Sequence, residues 1–171
     1  MPKTRTPKRD EPMTHVNLYS DGAARGNPGP GGYGVVLTFT DAQGQLHTKE
    51  LSQGYICTTN NRMELLGVIR GLEALKHACE VDVYSDSKYV VDAFNQHWVE
   101  GWLKRGWKNA KKEPVKNKDL WTRLLEVMKP HTIAFHWVKG HAGHPENERC
   151  DELATTAADD DERIVDEGFA E

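Results

Sequence analysis

The sequence predicts a single α/β domain, on three observations. Short alternating apolar runs separated by tight turns open the chain as an antiparallel meander. An amphipathic run of helical period follows and leads into a further short apolar strand. Two Tyr-Ser-Asp triplets, residues 19–21 and 84–86, end strand-like runs in the same phase. A helical connection between neighbouring strands makes a parallel crossover, so the sheet mixes both strand directions. At 171 residues, one domain of ordinary size is expected.

The elements follow in order. Residues 15–20 alternate as a strand. Residues 22–34 hold six Gly and two Pro and read as a turn that enters the next strand. Residues 33–40 and 46–56 flank Asp41-Ala42-Gln43-Gly44, a hairpin turn. Residues 60–79 form the strongest helix, with Leu65, Val68, Ile69, Leu72 and Leu75 at helical spacing and Thr59 or Asn60 as its cap. Strand 81–85, helix 87–96, helix 120–128, strand 131–138 and helix 146–158 complete the domain, which spans 13–158.

Residues 1–12 are Pro- and Lys-rich and read as a disordered basic arm. Residues 159–171 carry seven acidic residues and one Arg and read as a disordered acidic tail, too charged to pack. The arm has no apolar stretch after its basic residues, so it is not a secretory signal. No run of about 18 apolar residues suggests a membrane span. Cys57, Cys79 and Cys150 have no ligand-like spacing. They read as free thiols in a reducing, cytoplasmic setting.

Four acidic residues carry the chemistry: Asp21, Glu64, Asp86 and Asp151. If the strands ending in Asp21 and Asp86 are parallel neighbours, both carboxylates leave one edge of the sheet. Gathered carboxylates repel one another. A hard divalent cation with oxygen ligands relieves that repulsion. A cluster this acidic can hold two metals for an in-line displacement at phosphorus. Each residue also has a plainer reading: Asp21 and Asp86 as turn-starting residues, Glu64 as a first-turn helix acid, Asp151 as part of a solvated helix face.

His141 lies in Gly140-His141-Ala142-Gly143, between a strand and a helix, and close in sequence to Asp151. An imidazole near carboxylates and metal can move protons near neutral pH. Residues 98–118 carry seven Lys or Arg against two Glu and interleave Trp98, Trp102 and Trp107 with Lys104, Arg105 and Lys108. Exposed Trp with Lys suits a sugar-phosphate backbone, although an amphipathic surface gives the same pattern. Asn27, Thr59, Asn60 and Asn61 offer amides and a hydroxyl for close approach to ribose and phosphate, and the 2′-hydroxyl distinguishes RNA from DNA.

Taken together, Ser20-Asp21-Gly22, the Gly-rich run 26–34, Thr59-Asn60-Asn61-Arg62-Met63-Glu64-Leu65, Ser85-Asp86-Ser87 and the run 138–151 resemble type 1 ribonuclease H, in its bacterial single-domain form. The resemblance covers residues 14–158. It implies a ribonuclease H-like fold, a five-stranded mixed sheet flanked by helices. It implies endonucleolytic hydrolysis of the RNA strand of RNA–DNA hybrids, leaving 3′-hydroxyl and 5′-phosphate ends. Asp21, Glu64, Asp86 and Asp151 match the family's metal-binding carboxylates, and His141 its mobile histidine. The implied cofactor is Mg²⁺, two ions in the substrate complex, with Mn²⁺ as the alternative. Asn27, Asn60 and Asn61 match hybrid-contacting positions, Thr59 a DNA-phosphate pocket, and 98–118 a basic protrusion. Cys57 stands where relatives often carry Arg, and Lys88 where a Gln is familiar.

The expected partner is an RNA–DNA hybrid, met by a monomer without a membrane. The acidic tail has three readings: a solubiliser, a phosphate mimic competing for the basic protrusion, or the docking site of a further partner. A hybrid-binding module without catalysis would need a broken carboxylate set, and all four acids are present. A carboxylate-pair glycosidase leaves the basic Trp-containing stretch unexplained.

Overall fold

The computed structural model describes residues 13–139 and 144–169. Five strands, β1 (Thr14–Ala24), β2 (Gly29–Thr40), β3 (Leu46–Thr58), β4 (Cys79–Ser85) and β5 (Thr132–Trp137), form one sheet in the order β3-β2-β1-β4-β5. β1 to β3 are antiparallel, and β4 and β5 run parallel to β1. Helices α1 (Asn60–Glu73), α2 (Lys88–Asn95), α3 (Trp98–Lys104), α4 (Lys118–Met128) and α5 (Pro145–Asp159) flank it. The meander, the parallel crossover and the five-stranded mixed sheet are all as the sequence predicts.

β2 is buried on both faces over residues 31–38, because α1 packs on one side of it and α5 on the other. Its sequence shows how. Tyr33 and Val35 face α1, where Val35 meets Gly71. The alternating Gly32 and Gly34 face α5, and a Cβ on Gly34 would lie 2.7 Å from the Leu153 Cβ. The glycines predicted as turn residues therefore work as a flat seat for the helix that carries Asp151. Gly34→Ala is expected to push α5 off the sheet and cost about 1–3 kcal/mol, as overpacking does. Urea unfolding reads this, and an unchanged midpoint would show that the helix does not need the close seat.

Three boundaries differ from the sequence reading by more than two residues. β1 continues to Ala24 and β2 starts at Gly29, so Asp21 is inside a strand, opposite Gly34, rather than at a strand end. α1 stops at Glu73, not at 79. Residues 74–78 contain good helix formers and no breaker, but Cys79 pairs with Thr14 and its N–H donates to His131 Nδ1 at 3.0 Å. Sheet pairing outweighs propensity there. The basic stretch contains a short helix, α3, that the sequence reading does not separate out.

The segment after α5 is the main correction. The sequence reading leaves 159–171 disordered, yet the described part, to Phe169, folds back on the body. The Ile164 N–H donates to the Gly54 carbonyl at 3.0 Å, and the Ile56 N–H donates to the Ile164 carbonyl at 2.8 Å. This covers the outer edge of β3, which would otherwise present unpaired backbone groups. Asp166 is buried, at 7% exposure. Charge alone did not keep the segment in solvent, because a buried cation, Arg62, receives it. The arm 1–12 lies outside the described residues, as do 170–171.

Candidate active site

The two Tyr-Ser-Asp triplets are in register. Tyr19 pairs with Tyr84 across the parallel β1–β4 ladder, and their rings stack at 5.0 Å between centroids. Ser20 and Ser85 point the other way and are fully buried. Two residues beyond each Tyr, on the same face, stand Asp21 and Asp86. The Trp137 indole N–H donates to the Asp86 carbonyl at 3.1 Å and so ties β5 to this end of β4.

Glu64 reaches the same place from α1. Thr59 caps the helix, its Oγ1 accepting the Arg62 N–H at 3.2 Å. Glu64 is the fifth residue of the helix and lies past its first turn, so the dipole is not what places it there. Gly22 allows the approach: a Cβ there would lie 2.6 Å from the Glu64 backbone nitrogen. Asp21, Glu64 and Asp86 each contribute a carboxylate oxygen, and the three oxygens lie within 4.8 Å of one another.

The electrostatics are those of a strained cluster. Burial, then the Asp86 and Asp151 charges, push the Asp21 carboxyl up to about 7, against a weaker opposing pull from the Gly22 N–H, which donates to Oδ1 at 2.9 Å. Burial, then Asp21 and Asp86, hold Glu64 well above the usual carboxylate range. Its Oε2 is buried without a hydrogen-bond partner among the described residues. Burying such an oxygen is costly unless something pairs with it. A hard divalent cation fits this donor set, since it takes oxygen ligands and offsets carboxylate repulsion. Asp151, on α5, is near enough to act on Asp21 but is not one of the three clustered acids.

A pH dependence follows. A carboxyl whose folded pKa is raised leaves the folded state holding more protons than the unfolded state between the two pKa values. Stability then falls as pH rises through that window. For Asp21 the window runs from about 4 to about 7. Without divalent cation, the melting temperature should fall across it. Added Mg²⁺ should raise the melting temperature more at pH 8 than at pH 5. Calorimetric scans at both pH values test this, and an equal Mg²⁺ effect at both would contradict it.

The remaining predicted residues separate into two groups. Asn27, Thr59 and Asn61 line one cleft of about 560 Å³ with Arg62, Lys116 and Phe169. The Asn60 N–H donates to Asn27 Oδ1 at 3.2 Å, joining the β1–β2 turn to the start of α1. In the basic stretch Lys104, Arg105 and Lys108 are exposed. Of its Trp residues only Trp98, at 42% exposure, is among the exposed large apolar side chains. Trp102 packs edge-on to Trp121 at 5.0 Å, and Trp107 packs against the core with the Lys118 Nζ 5.9 Å from its ring centre. Those two anchor the stretch rather than present it. Lys88 lies over Trp137, 4.7 Å from its ring centre. His141 lies outside the described residues.

The sequence reading missed Arg62, which is 2% exposed. Its Nε donates to Asp166 Oδ2 at 2.7 Å, and its Nη1 and Nη2 donate to Asp119 at 2.9 and 2.8 Å. Burial by itself would lower its pKa, but the Asp119 and Asp166 carboxylates outweigh that and raise it. A signal was present: Arg62 stands three, four and seven residues before Leu65, Leu66 and Ile69, on the buried stripe of the helix.

A mixed sheet with acids gathered at the carboxyl end of a parallel strand pair, and at a helix packed against it, is an arrangement suited to divalent cations of the kind that assist hydrolysis at phosphorus. The sequence profile of the ribonuclease H family matches residues 13–159. The chain belongs to that family, whose members hydrolyse the RNA strand of RNA–DNA hybrids and depend on metal. It is 63% identical over 145 residues to the ribonuclease H of Lachnoclostridium phytofermentans, covering 84% of this chain and 92% of the relative. It is 56% identical over 147 residues to that of Thermus thermophilus, covering 86% of each. Among solved structures it is similar to LC9-RNase H1, described as a type 1 RNase H with the type 2 active-site motif. The TM-score there is 0.78 at 35% identity, over 87% of this chain and 74% of that one. It is also similar to LC11-RNase H1 in complex with an RNA/DNA hybrid. That match has TM-score 0.61 at 29% identity, over 84% of this chain and 96% of that one. No helix among the described residues is long and apolar enough to cross a membrane.

Proposed function

We propose that this chain is an endoribonuclease that hydrolyses the RNA strand of RNA–DNA hybrids, with Mg²⁺ as its cofactor and Mn²⁺ as a substitute. The observation that carries the reading is the meeting of Asp21, Glu64 and Asp86, with a buried Glu64 oxygen that has no hydrogen-bond partner among the described residues. These three acids, with Asp151 from α5, would hold two ions. Divalent cations bound there lower the pKa of water and stabilise charge on a leaving oxygen. Water oxygen joins phosphorus, the bond from phosphorus to the 3′-oxygen breaks, and that oxygen leaves protonated. Cleavage therefore yields 3′-hydroxyl and 5′-phosphate ends. His141 is assigned, from sequence alone, to moving a proton in this exchange. Asn27, Thr59, Asn60 and Asn61 are assigned to the hybrid, Thr59 to a DNA phosphate. We place the enzyme in the cytoplasm as a monomer.

Cleavage of matched RNA–DNA, RNA–RNA and DNA–DNA duplexes tests the reading. Mg²⁺-dependent products from the hybrid alone support it. Equal cleavage of RNA–RNA, or cleavage that survives chelation, contradicts it.

The exposed cations of 98–118 are assigned to hybrid binding. Neutralising Lys104, Arg105, Lys108, Lys111 and Lys112 together should raise KM and leave kcat close to its starting value. Affinity falls with salt by about 0.9 logarithmic units per neutralised phosphate on B-form DNA, so the salt slope should become shallower. An unchanged slope would reduce the stretch to a solvated surface.

A further inference from the structure

The segment after α5 grips the residues on either side of the cleft assigned to the hybrid. Asp166 Oδ2 accepts from Thr58 Oγ1 at 2.7 Å and from Arg62 Nε at 2.7 Å, and its Oδ1 accepts from Arg62 Nη2 at 2.9 Å. Thr58 and Arg62 are the immediate flanks of Thr59-Asn60-Asn61. A single buried carboxylate therefore holds both ends of the tripeptide that contributes three of the four hybrid-contact candidates outside the basic stretch. The Arg62 backbone N–H also donates to Thr59 Oγ1 at 3.2 Å, which orients that hydroxyl. On its far side, Arg62 Nη1 donates to Asn117 Oδ1 at 3.3 Å, so the same network fixes the backbone beside Lys116. Gly168 and Phe169 then form a wall of the cleft itself.

We propose that Asp166 is a positioning residue for substrate binding: through Arg62 and Thr58 it sets the geometry of the Thr59–Asn61 and Lys116–Asn117 walls that receive the hybrid. This rests on the assignment of Thr59 and its neighbours to the hybrid. It reverses the expectation for an acidic tail beside a polyanion. A free carboxylate there would repel phosphate. One already spent on a buried guanidinium serves the cleft instead.

The charge argument makes the test selective. Removing a carboxylate from beside a polyanion site should, by electrostatics alone, lower KM. Loss of positioning should raise it. Asp166→Asn, in the full chain and at a temperature where circular dichroism shows it folded, is expected to raise KM for a hybrid by about three- to tenfold, the range of one hydrogen bond. Its kcat should change less than KM. Gly168→Ala is the second variant, because it keeps every charge. A Cβ there runs into the Asp119 carboxylate and would lie 2.8 Å from Arg62 Nη2, so the segment and Asp119 cannot both keep their places on Arg62. It should raise KM in the same way, and it decides the matter if Asp166→Asn does not fold. Thr59→Ala is measured alongside. If Thr59→Ala raises KM while the folded Asp166 or Gly168 variant melts lower with KM unchanged or reduced, the segment is a stabilising strap only and the proposal falls alone. If Thr59→Ala also leaves KM unchanged, the cleft assignment falls and takes the proposal with it.

Discussion

Asp21→Asn is expected to fold normally and to lose hybrid cleavage by about 10³-fold or more. Metal-held charge stabilisation contributes several kcal/mol to such displacements, and each 1.36 kcal/mol is tenfold in rate. Asp21 shares the cluster with both Glu64 and Asp86 and is acted on by Asp151 as well, so it stands between all the other acids. Asn keeps the shape and removes one charge from a group that repels itself. In chelator at pH 8 the variant should therefore melt above the parent while cleaving far less. A lower melting temperature with cleavage intact would reverse both halves of the argument. The combination separates a site strained for function from a residue that merely supports the fold.

Truncation after Asp160 is expected to be the most destabilising of the changes considered. It keeps α5 but removes Asp166, leaving Arg62 with Asp119 as its remaining carboxylate partner. Breaking a buried ion pair from one side costs about 3–5 kcal/mol. For a domain of this size that is about 10 °C in melting temperature. Truncation also uncovers the outer edge of β3, where Ile164 bridges Tyr55. Thermal scans of the truncated and full chains measure the difference. Equal melting temperatures would mean that the segment rests on the surface without supporting it.

These two cases mark what the sequence makes legible. The echo between residues 19–21 and 84–86 is enough to place Asp21 and Asp86 together, because parallel strands in register turn a sequence repeat into a spatial pair. Glu64 is harder to read. Its approach depends on Gly22, which the sequence presents as one of many turn glycines. The segment 160–169 is misread for a physical reason. Composition reports the average charge of a stretch, whereas packing depends on whether one of its charges meets a buried opposite one. Asp166 looks like its acidic neighbours until Arg62 is seen on the apolar stripe of α1. Similarly, three Trp among lysines suggest one exposed surface, but Trp102 is drawn inward by Trp121. Long-range partners of single residues are what local pattern does not carry.

The central claim is that Asp21, Glu64 and Asp86 hold the divalent cation on which cleavage depends. Anomalous diffraction from crystals of the wild-type chain soaked in Mn²⁺ tests it most directly, with hybrid cleavage measured in the same metal. The account predicts anomalous density among these three carboxylates, lost in Asp21→Asn crystals together with cleavage. Mn²⁺-dependent cleavage with no density at the cluster, or with the metal held elsewhere, would contradict it.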